Sequence, residues 1–376
     1  MATNPKTMKA ILISAFGPPE NLVIKNDIPI PEPTAPGTIR IRIRAFGINH
    51  AEMHMRRGEW AESVPISGIE CVGTVDAWGP PSPANTDTDT SLPTLFPIGL
   101  PVAAVMGGLG RTIPGSYAQY TVVRQENVVP LVSPAEFVSS TSSSSPNNND
   151  NNIPPPLPWA ELAALPESYS TAWTCLFRNL ALERGHRLLI RGATSAFGRA
   201  AVNLAVAAGA IVTGTTRSEG KFAALRALGV AEVLLEAPGL PDRLLGEGND
   251  EKTTEKKFDR VLELVGNSTI VESLKLVKRD GRVCLAGWLG GLEPIAEFNP
   301  LLQMASGVHF NFFGSFVFGT PEFPLSDVPL GEVVQAVAEG KFDAKPFKVF
   351  VFDEIREAHR YMEEGRAGGK MVVVVD

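Results

Sequence analysis

The fold is decided by residues 187–198, which read Arg-Leu-Leu-Ile-Arg-Gly-Ala-Thr-Ser-Ala-Phe-Gly. The first five predict a short buried strand, because three consecutive apolar residues stand between two arginines. The alanine-rich stretch 198–208 predicts a helix. The residues between them are mostly small, so they predict a tight turn that joins a strand to a helix.

This turn is a candidate site for the pyrophosphate of a dinucleotide. Its seven residues are Gly192, Ala193, Thr194, Ser195, Ala196, Phe197 and Gly198. Small side chains let a phosphate approach the free N–H groups at the start of the helix, where the helix dipole also favours an anion. The strict G-x-G-x-x-G pattern is absent, because Ser195 and Ala196 stand near positions where glycine is usual. The alternative is that the small residues only allow the helix to pack closely against the strand.

The end of the next predicted strand, 210–215, indicates which dinucleotide would bind. A site for NAD normally places an acidic residue there to accept a hydrogen bond from the ribose 2′-hydroxyl. Here Thr215, Thr216 and Arg217 come first, Lys221 follows one turn later, and the first acid is Glu219. Hydroxyl, guanidinium and ammonium groups favour a 2′-phosphate, so we predict NADP. The alternative is that the two basic residues belong to a solvated helix face.

Strands and helices continue to alternate on the C-terminal side of this segment. Further strands are predicted at 232–235, 260–264 and 282–286, and helices at 221–228 and 270–277. Such alternation predicts an α/β fold whose doubly wound parallel sheet is covered by helices on both faces.

The N-terminal third has a different character. Its short β-branched runs are separated by many glycines and prolines, which is typical of a β-rich barrel or sandwich. Residues 133–158 then contain long runs of serine, asparagine and proline. Because such a composition buries little apolar surface, we predict a disordered surface insertion there.

Composition excludes several classes of partner. The 376 residues carry 34 basic and 41 acidic side chains, a net charge of −7, which disfavours nucleic acid and anionic membranes as partners. The chain has no apolar run of membrane-spanning length and no signal-peptide pattern, so we expect a cytoplasmic protein. The three cysteines are far apart and predict neither a disulfide framework nor a four-cysteine zinc lobe.

The chain resembles a known superfamily in several motifs that occur in the family's order and spacing. They are Met8-Lys-Ala, Ala45-Phe-Gly-Ile-Asn49, Gly68-Ile-Glu-Cys-Val-Gly73, Gly115-Ser-Tyr-Ala-Gln-Tyr120, Leu165-Pro166, Thr171-Ala-Trp173, the turn at 192–198, Ala358-His-Arg360 and Gly369-Lys-Met-Val372. Together they resemble the medium-chain dehydrogenase/reductase superfamily, in particular its zinc-free quinone oxidoreductase-like branch, which includes enoyl and alkenal reductases.

This resemblance implies a particular division of the chain. A GroES-like catalytic domain would comprise 1–165 and 311–376, and a Rossmann domain that binds NADP would comprise 166–310, with catalysis in the cleft between them. The resemblance also implies that Lys370 contacts the cofactor. A homodimer is implied as well, with part of the Phe-rich stretch 310–318 as the strand that pairs two subunits. The remaining aromatic side chains of this stretch are expected either in the core or around an apolar small-molecule substrate.

The resemblance also bears on zinc. Zinc-containing members hold a catalytic metal with Cys, His and Cys, which would fall at Asn49, at Ile69 and near Glu167 of this chain. None of these residues replaces its counterpart in kind, so no zinc site is predicted there. His50, Glu52 and His54 could approach one ion from a helix, but no fourth ligand is evident, and histidines at the surface or in the cleft are the simpler interpretation.

Asn49 and His54 are the predicted catalytic residues. The zinc-free branch has an Asn near the nicotinamide, which Asn49 matches and which would orient a carbonyl or the cofactor through its amide. Family members commonly carry Tyr five positions later, where this chain has His54; an imidazole could donate a hydrogen bond and then a proton to a substrate oxygen. The alternative for His54 is a partly exposed residue without a chemical role. Glu52 and Glu70 are expected to hold the shape of the site by hydrogen bonding, and Tyr117 to pack.

These residues predict an NADPH-dependent oxidoreductase that reduces an activated conjugated C=C bond or a quinone of an apolar small molecule without zinc. Two alternatives stay open. One is a non-redox enzyme that isomerises or cyclises its substrate on the same fold, with NADP structural or absent. The other is a cofactor-binding protein without catalysis.

Overall fold

The computed structural model describes residues 6–60, 62–81, 91–142, 155–246 and 255–376. These residues belong to two compact units. The GroES-like unit comprises the chain up to Glu167 and Ser315–Asp376, and the Rossmann unit comprises Ser168–Gly314.

The strands are β1 Thr7–Ile13, β2 Leu22–Pro29, β3 Thr38–Ile48, β4 Glu70–Trp78, β5 Pro101–Val105, β6 Tyr120–Arg124, β7 Val128–Pro130, β8 Arg187–Arg191, β9 Ile211–Thr216, β10 Glu232–Leu235, β11 Phe258–Glu263, β12 Val277–Leu285, β13 His309–Phe312, β14 Lys348–Val351 and β15 Met371–Val374. The helices are α1 His50–Arg57, α2 Leu92–Leu95, α3 Pro134–Ser142, α4 Trp159–Leu162, α5 Pro166–Trp173, α6 Ala196–Ala207, α7 Phe222–Ala227, α8 Leu240–Leu245, α9 Ile270–Leu276, α10 Pro300–Gln303, α11 Leu330–Ala338 and α12 Ile355–Glu363.

The GroES-like unit is built on a mixed sheet in the order β14-β15-β3-β4-β5-β7, in which β6 also pairs with β3. The central strand β3 shows why the sequence folds this way. Ile39, Ile41 and Ile43 are buried, whereas the intervening Arg40 and Arg42 are not, which is the period of two expected when one face of a strand covers a core. Because β3 lies between β15 and β4, it joins the C-terminal and N-terminal segments of the chain in one sheet.

The Rossmann unit contains a six-stranded sheet in the order β10-β9-β8-β11-β12-β13, and every neighbouring pair is parallel. Strand β8 is central, and Leu188, Leu189 and Ile190 are completely buried, as expected for a strand covered on both faces. The strand order reverses between β8 and β11, and ligands of such sheets bind beyond the carboxyl ends of the strands at this point. The predicted fold class, a GroES-like β-rich domain with a Rossmann domain, is confirmed.

The prediction of disorder over 133–158 is wrong for its first part. Pro134–Ser142 form helix α3, whose Phe137 is 4% exposed and belongs to the core of the GroES-like unit. One buried aromatic side chain therefore fixes a segment whose serine-rich composition suggested disorder. Residues 143–154 of the predicted insertion lie outside the described residues. Within the described ranges, no helix combines the length and apolar character needed to cross a membrane.

Candidate functional site

The start of helix α1 forms the first candidate region. Asn49 stands between β3 and α1 in an extended conformation, and its backbone N–H donates to Oε2 of Glu52 over 2.7 Å. Oε1 of Glu52 accepts the backbone N–H of Ile69 over 3.1 Å. The fully buried carboxylate of Glu52 thus caps the helix and ties it to the residue before β4.

Glu70 and Lys370 complete this region, and we refer to Asn49, Glu52, Glu70 and Lys370 as the Asn49 cluster. Glu70 opens β4, and Lys370 directly precedes β15. Oε1 of Glu70 accepts hydrogen bonds from the Asn49 amide, over 2.8 Å, and from the Lys370 ammonium. Its Oε2 accepts the backbone N–H of Glu167 over 2.8 Å. Both carboxylates are therefore used for hydrogen bonding, as expected from the sequence.

The partners of Asn49 fix the orientation of its amide. Lys370 can only donate, and it lies 2.6 Å from Oδ1; the carboxylates of Glu52 and Glu70 accept, and they lie 3.3 and 2.8 Å from Nδ2. Both N–H groups of the amide are thereby used. Asn49 retains only a lone pair on Oδ1, so in this arrangement it can accept a hydrogen bond from a ligand but cannot donate one to a carbonyl.

The charged groups of the Asn49 cluster are buried, and this burial affects their protonation. Glu52 and Glu70 are 0% exposed and Lys370 is 6% exposed, so two carboxylates share one ammonium away from water. Burial raises the pKa of Glu52 to about 7, against the opposing effect of Lys370 and with a further contribution from Glu70.

The last turn of α1 carries His54. Its Nδ1 pairs with the carboxylate of Glu59, which accepts, so Nδ1 carries a hydrogen. The His54 side chain is 13% exposed and that of Glu59 is 40% exposed. Asn49 and His54 therefore lie at opposite ends of α1 with different partners, and no hydrogen bond joins them.

A buried network anchors the C-terminal end of α1. Arg56 donates to the carbonyl of Gly17, to Glu363 and to Nδ1 of His359. Since arginine only donates, Nε2 of His359 carries the hydrogen and donates to the Tyr117 hydroxyl over 2.9 Å. Burial, with Arg56 acting in the same direction, lowers the pKa of His359 to about 3, so the ring is neutral. Tyr117 is buried, as predicted, and its hydroxyl adds a hydrogen bond to its packing.

The residues at the family's zinc positions do not fit a zinc ion. The amide of Asn49 is occupied by its neighbours, Ile69 offers an aliphatic side chain, and the Glu167 carboxylate accepts the hydroxyl of Ser315 over 2.7 Å. The ammonium of Lys370 would also repel a cation at this point. Among the described residues, no group of three or more His, Cys, Asp or Glu side chains could hold a metal.

The predicted dinucleotide turn is the second candidate region and lies in the Rossmann unit. Gly192 has a φ of +81°, a left-handed conformation that glycine adopts without strain. The Ser195 hydroxyl accepts the Gly198 N–H over 3.0 Å and caps α6. A Cβ atom at Gly198 would lie 2.5 Å from the carbonyl oxygen of Gly192, so this helix start needs glycine for close packing as well. Ala193 and Gly198 are buried, and Thr194, Ser195, Ala196 and Phe197 are half-buried.

Residues at the end of β9 hold this turn by hydrogen bonds. The Thr215 hydroxyl accepts the Gly192 N–H over 3.0 Å and donates to Oε2 of Glu236 over 2.6 Å. Thr215 is 0% exposed, so its hydroxyl is engaged on both sides inside the unit. The Thr216 hydroxyl lies 3.5 Å from that of Thr194.

Arg217 and Lys221 follow at the surface. Arg217 is exposed and Lys221 half-buried, and neither side chain has a hydrogen-bond or ion-pair partner in the described part of the chain. Both cations are therefore available to an anion, as the prediction of a 2′-phosphate site requires.

Glu236 and Arg191 are two residues of this region that were not predicted from the sequence. Glu236 directly follows β10, and the buried Arg191, which immediately precedes the turn, donates to both of its oxygens. An acid just after a strand of a parallel sheet is the signal that could have indicated Glu236. No acid directly follows β9 in the sequence, as predicted. The neighbouring strand β10, however, is followed by Glu236, which lies beside the end of β9.

Comparisons with known proteins agree with this architecture. Residues 35–133 match a family model described as alcohol dehydrogenase GroES-like domain, and residues 241–373 match one described as zinc-binding dehydrogenase. Quinone oxidoreductase of Homo sapiens is 24% identical and covers 100% of both chains. Quinone oxidoreductase of Mus musculus is 27% identical over 81% of this chain and 80% of its own.

Solved structures show the same fold. The mycobacterial protein Rv1454c, solved as a complex with NADPH, superposes with a TM-score of 0.76 at 21% identity and covers 98% of this chain and 99% of its own. Two family models, full-length relatives and the parallel sheet with its glycine turn thus agree with the motifs of the sequence. These findings support the medium-chain dehydrogenase/reductase superfamily, and within it the quinone oxidoreductase-like branch, as the family of this chain.

Proposed function

We propose that the protein is an NADPH-dependent oxidoreductase that reduces an activated conjugated C=C bond or a quinone without zinc. The observation that carries the proposal is the pair of unpartnered cations, Arg217 and Lys221, beyond the strand that supports the Gly192 turn. The quinone oxidoreductases among its relatives support the reaction class, and the NADPH complex of Rv1454c supports the coenzyme.

The residues present fit this coenzyme. The left-handed Gly192 bends the turn, and the start of α6 offers backbone N–H groups to a pyrophosphate. Arg217 can form a bidentate pair with a 2′-phosphate, and Lys221 adds a second positive charge. When bound, the dihydronicotinamide supplies a hydride to the electrophilic carbon of the substrate.

Charge that develops on the substrate oxygen needs a hydrogen-bond donor and then a proton. Asn49 cannot be this donor, because both of its amide hydrogens are already used. We therefore assign Asn49 the role of an acceptor that orients an N–H or O–H group of the ligand. His54 or water delivers the proton, as the sequence suggests.

Lys370 is a second candidate donor. Its ammonium has three N–H bonds, and two of them point to Asn49 and Glu70, which leaves one without a partner among the described residues. This assignment differs from the cofactor contact that the family resemblance implies for Lys370, and pH profiles of H54Q and K370M separate the two donors.

An apolar and planar substrate is supported by aromatic side chains near the end of α1. The Arg111 guanidinium lies 5.6 Å from the ring centre of Trp60 and 5.4 Å from that of Phe316. Trp60 directly follows Glu59, the partner of His54. Aromatic side chains suit an apolar conjugated ring better than a saturated polar substrate.

The proposal is tested by mixing the protein with NADPH or NADH and a panel of quinones and enones, while nicotinamide absorbance is followed. We expect NADPH to be oxidised faster than NADH. R217M should lose this preference, whereas R226M, a change of an exposed arginine on α7, should retain it. Failure of every acceptor with both coenzymes would contradict the reductase. Substrate conversion without a gain of two hydrogens would favour the non-redox enzyme, and coenzyme binding without turnover the binding protein.

A further inference from the structure

The support beneath the coenzyme turn is a connected chain of hydrogen bonds. The Gly192 N–H donates to the Thr215 hydroxyl, which in turn donates to Glu236. Arg191 donates hydrogen bonds to both carboxylate oxygens of Glu236. Since Arg191 directly precedes Gly192, this series of hydrogen bonds begins and ends at the same turn. The first residue of the turn is therefore held through its backbone and through the side chain before it.

Glu236 is placed for this task by the sheet itself. Its backbone N–H donates to the Thr216 carbonyl over 2.8 Å, which continues the pairing of β10 with β9 by one residue. Its side chain therefore lies beside the end of β9, and it is only 9% exposed. The carboxylate reaches Thr215 without facing solvent.

Arg191 fixes Glu236 in turn. Its guanidinium is 1% exposed and uses all five N–H bonds. Besides Glu236, it donates to the Thr269 carbonyl over 3.1 Å, to the Ser273 hydroxyl over 3.3 Å and to Glu272 over 3.1 Å. These partners lie on α9 or directly before it, so the carboxylate of Glu236 is braced by a helix outside the turn.

We propose that Thr215 and Glu236 are positioning residues for the dinucleotide, which they do not themselves touch. Thr215 holds the Gly192 N–H, and Glu236 holds the Thr215 hydroxyl in the orientation that accepts this N–H. This replaces the direct contact with a 2′-phosphate that the sequence suggested for Thr215. The inference rests on the proposed function, because it takes a nicotinamide dinucleotide as the ligand.

The test compares Kd values of NADPH and NADH, measured by nicotinamide fluorescence, for the wild type, T215V and T215S. T215V keeps the size of the side chain and the Arg191–Glu236 pair but leaves the Gly192 N–H without its acceptor. We expect T215V to weaken binding of both coenzymes by about tenfold, the effect of one lost hydrogen bond. T215S retains the hydroxyl and should bind within about twofold of the wild type.

The ratio of the two Kd values separates positioning from direct contact. The turn is expected to meet the pyrophosphate that both coenzymes share, so T215V should leave the preference for NADPH unchanged. A selective loss of NADPH binding would overturn the proposal, because it would indicate direct contact with the 2′-phosphate. Unchanged binding of both coenzymes by T215V would overturn it as well.

Glu236 is tested by E236Q, with E232Q as a matched change at the exposed first residue of β10. We expect E236Q to weaken both coenzymes and E232Q to weaken neither. If Glu236 acts through Thr215, the double variant T215V/E236Q binds no more than about twofold more weakly than T215V. If the losses of coenzyme affinity in T215V and E236Q were fully additive, Glu236 would not act through Thr215.

A readout without coenzyme keeps this inference distinct from the proposed function. Hydrogen–deuterium exchange of the segment 188–198 should be faster in T215V than in T215S, because the Gly192 N–H has lost its acceptor. If the wild type binds neither coenzyme, the proposed function fails. Faster exchange in T215V would then show that Thr215 stabilises the turn although the turn binds no coenzyme. Equal exchange in both variants would contradict the support itself.

Discussion

At the scale of single residues, the chemistry of the Asn49 cluster depends on partners that are distant in sequence. Asn49 was predicted from its motif, but the direction of its amide is set by Glu70 and Lys370, which lie 21 and 321 positions away. No local pattern contains this information, because β3, β4 and β15 bring the three residues together only in the folded sheet. The sequence could therefore predict which residues form this site, but it could not predict which of their groups donate and which accept hydrogen bonds.

Gly47 shows how tightly the cluster is packed. A Cβ atom there would lie 2.3 Å from Oε1 of Glu70 and 2.5 Å from Cε of Lys370, and neither side chain has free space. We predict that G47A lowers the free energy of unfolding by about 1–3 kcal/mol and reduces turnover. Urea titration measures the loss. The control is G331A on α11, where nothing lies within 4 Å and no loss is expected; equal effects of the two substitutions would contradict the packing argument.

Glu52 predicts a pH dependence of stability. Folding raises its pKa from 4.5 to about 7, so the folded protein binds more protons than the unfolded chain between these values. Its contribution to the free energy of unfolding therefore falls as pH rises through this window, by up to about 3 kcal/mol. The difference in stability between the wild type and E52Q, measured by denaturation at several pH values, should fall accordingly. His359 titrates equally in both proteins and cancels, so a constant difference would contradict the shift.

At the scale of elements, α1 is held at both ends while it carries the predicted catalytic residues. Glu52 ties its start to Ile69, and Arg56 ties its end to Gly17, His359 and Glu363. The α12 residues His359 and Glu363 thus brace a helix some 300 residues earlier in the chain. This role was not predicted, because the motif at 358–360 indicates family membership but not which helix its histidine contacts.

Arg56 and Arg57 provide a matched pair for this bracing, since both contact Glu363. The Arg56 side chain is 1% exposed, and its loss leaves buried partners unpaired; that of Arg57 is 38% exposed. We predict that R56M costs about 3–5 kcal/mol of unfolding free energy. R57M should cost less than about 1 kcal/mol. Denaturant unfolding of the two variants measures both values, and similar losses would argue against the buried anchor.

Strand and helix types were easier to predict than their exact extent. The continuous apolar residues of β8 and the small residues after it predicted the parallel sheet, because both signals are local. By contrast, the serines of α3 concealed a helix that depends on burial of Phe137. Strand β2 has mostly half-buried and exposed residues, so its sequence carries no clear alternation that would predict a strand.

At the scale of the whole molecule, the edge of the Rossmann sheet is a candidate surface for association. Strand β13 pairs only with β12 among the described strands, and Phe312 on it is 56% exposed. Open edges of this kind can pair with another chain. We propose, as the family resemblance implies, that two copies associate along β13.

This proposal predicts the state of assembly in solution. Sedimentation should show a dimer for the wild type, and F312K should shift it to a monomer, because a charge at the edge opposes pairing. F16K, at a similarly exposed phenylalanine of the GroES-like unit, should remain dimeric. A monomeric wild type, or a dimer that F312K does not affect, would contradict association along this strand.

Hydride transfer from NADPH to an apolar acceptor is the reaction that we propose for this protein. The most direct test supplies NADPH that carries deuterium at the reactive face of C4, together with the best quinone or enone of the panel, and measures the product by mass spectrometry. For an enone, we predict a product with two added hydrogens, one of which is deuterium bound to carbon. For a quinone, oxidation of one NADPH per hydroquinone is expected. An enone product of unchanged composition, or one without deuterium from either face, would contradict the claim.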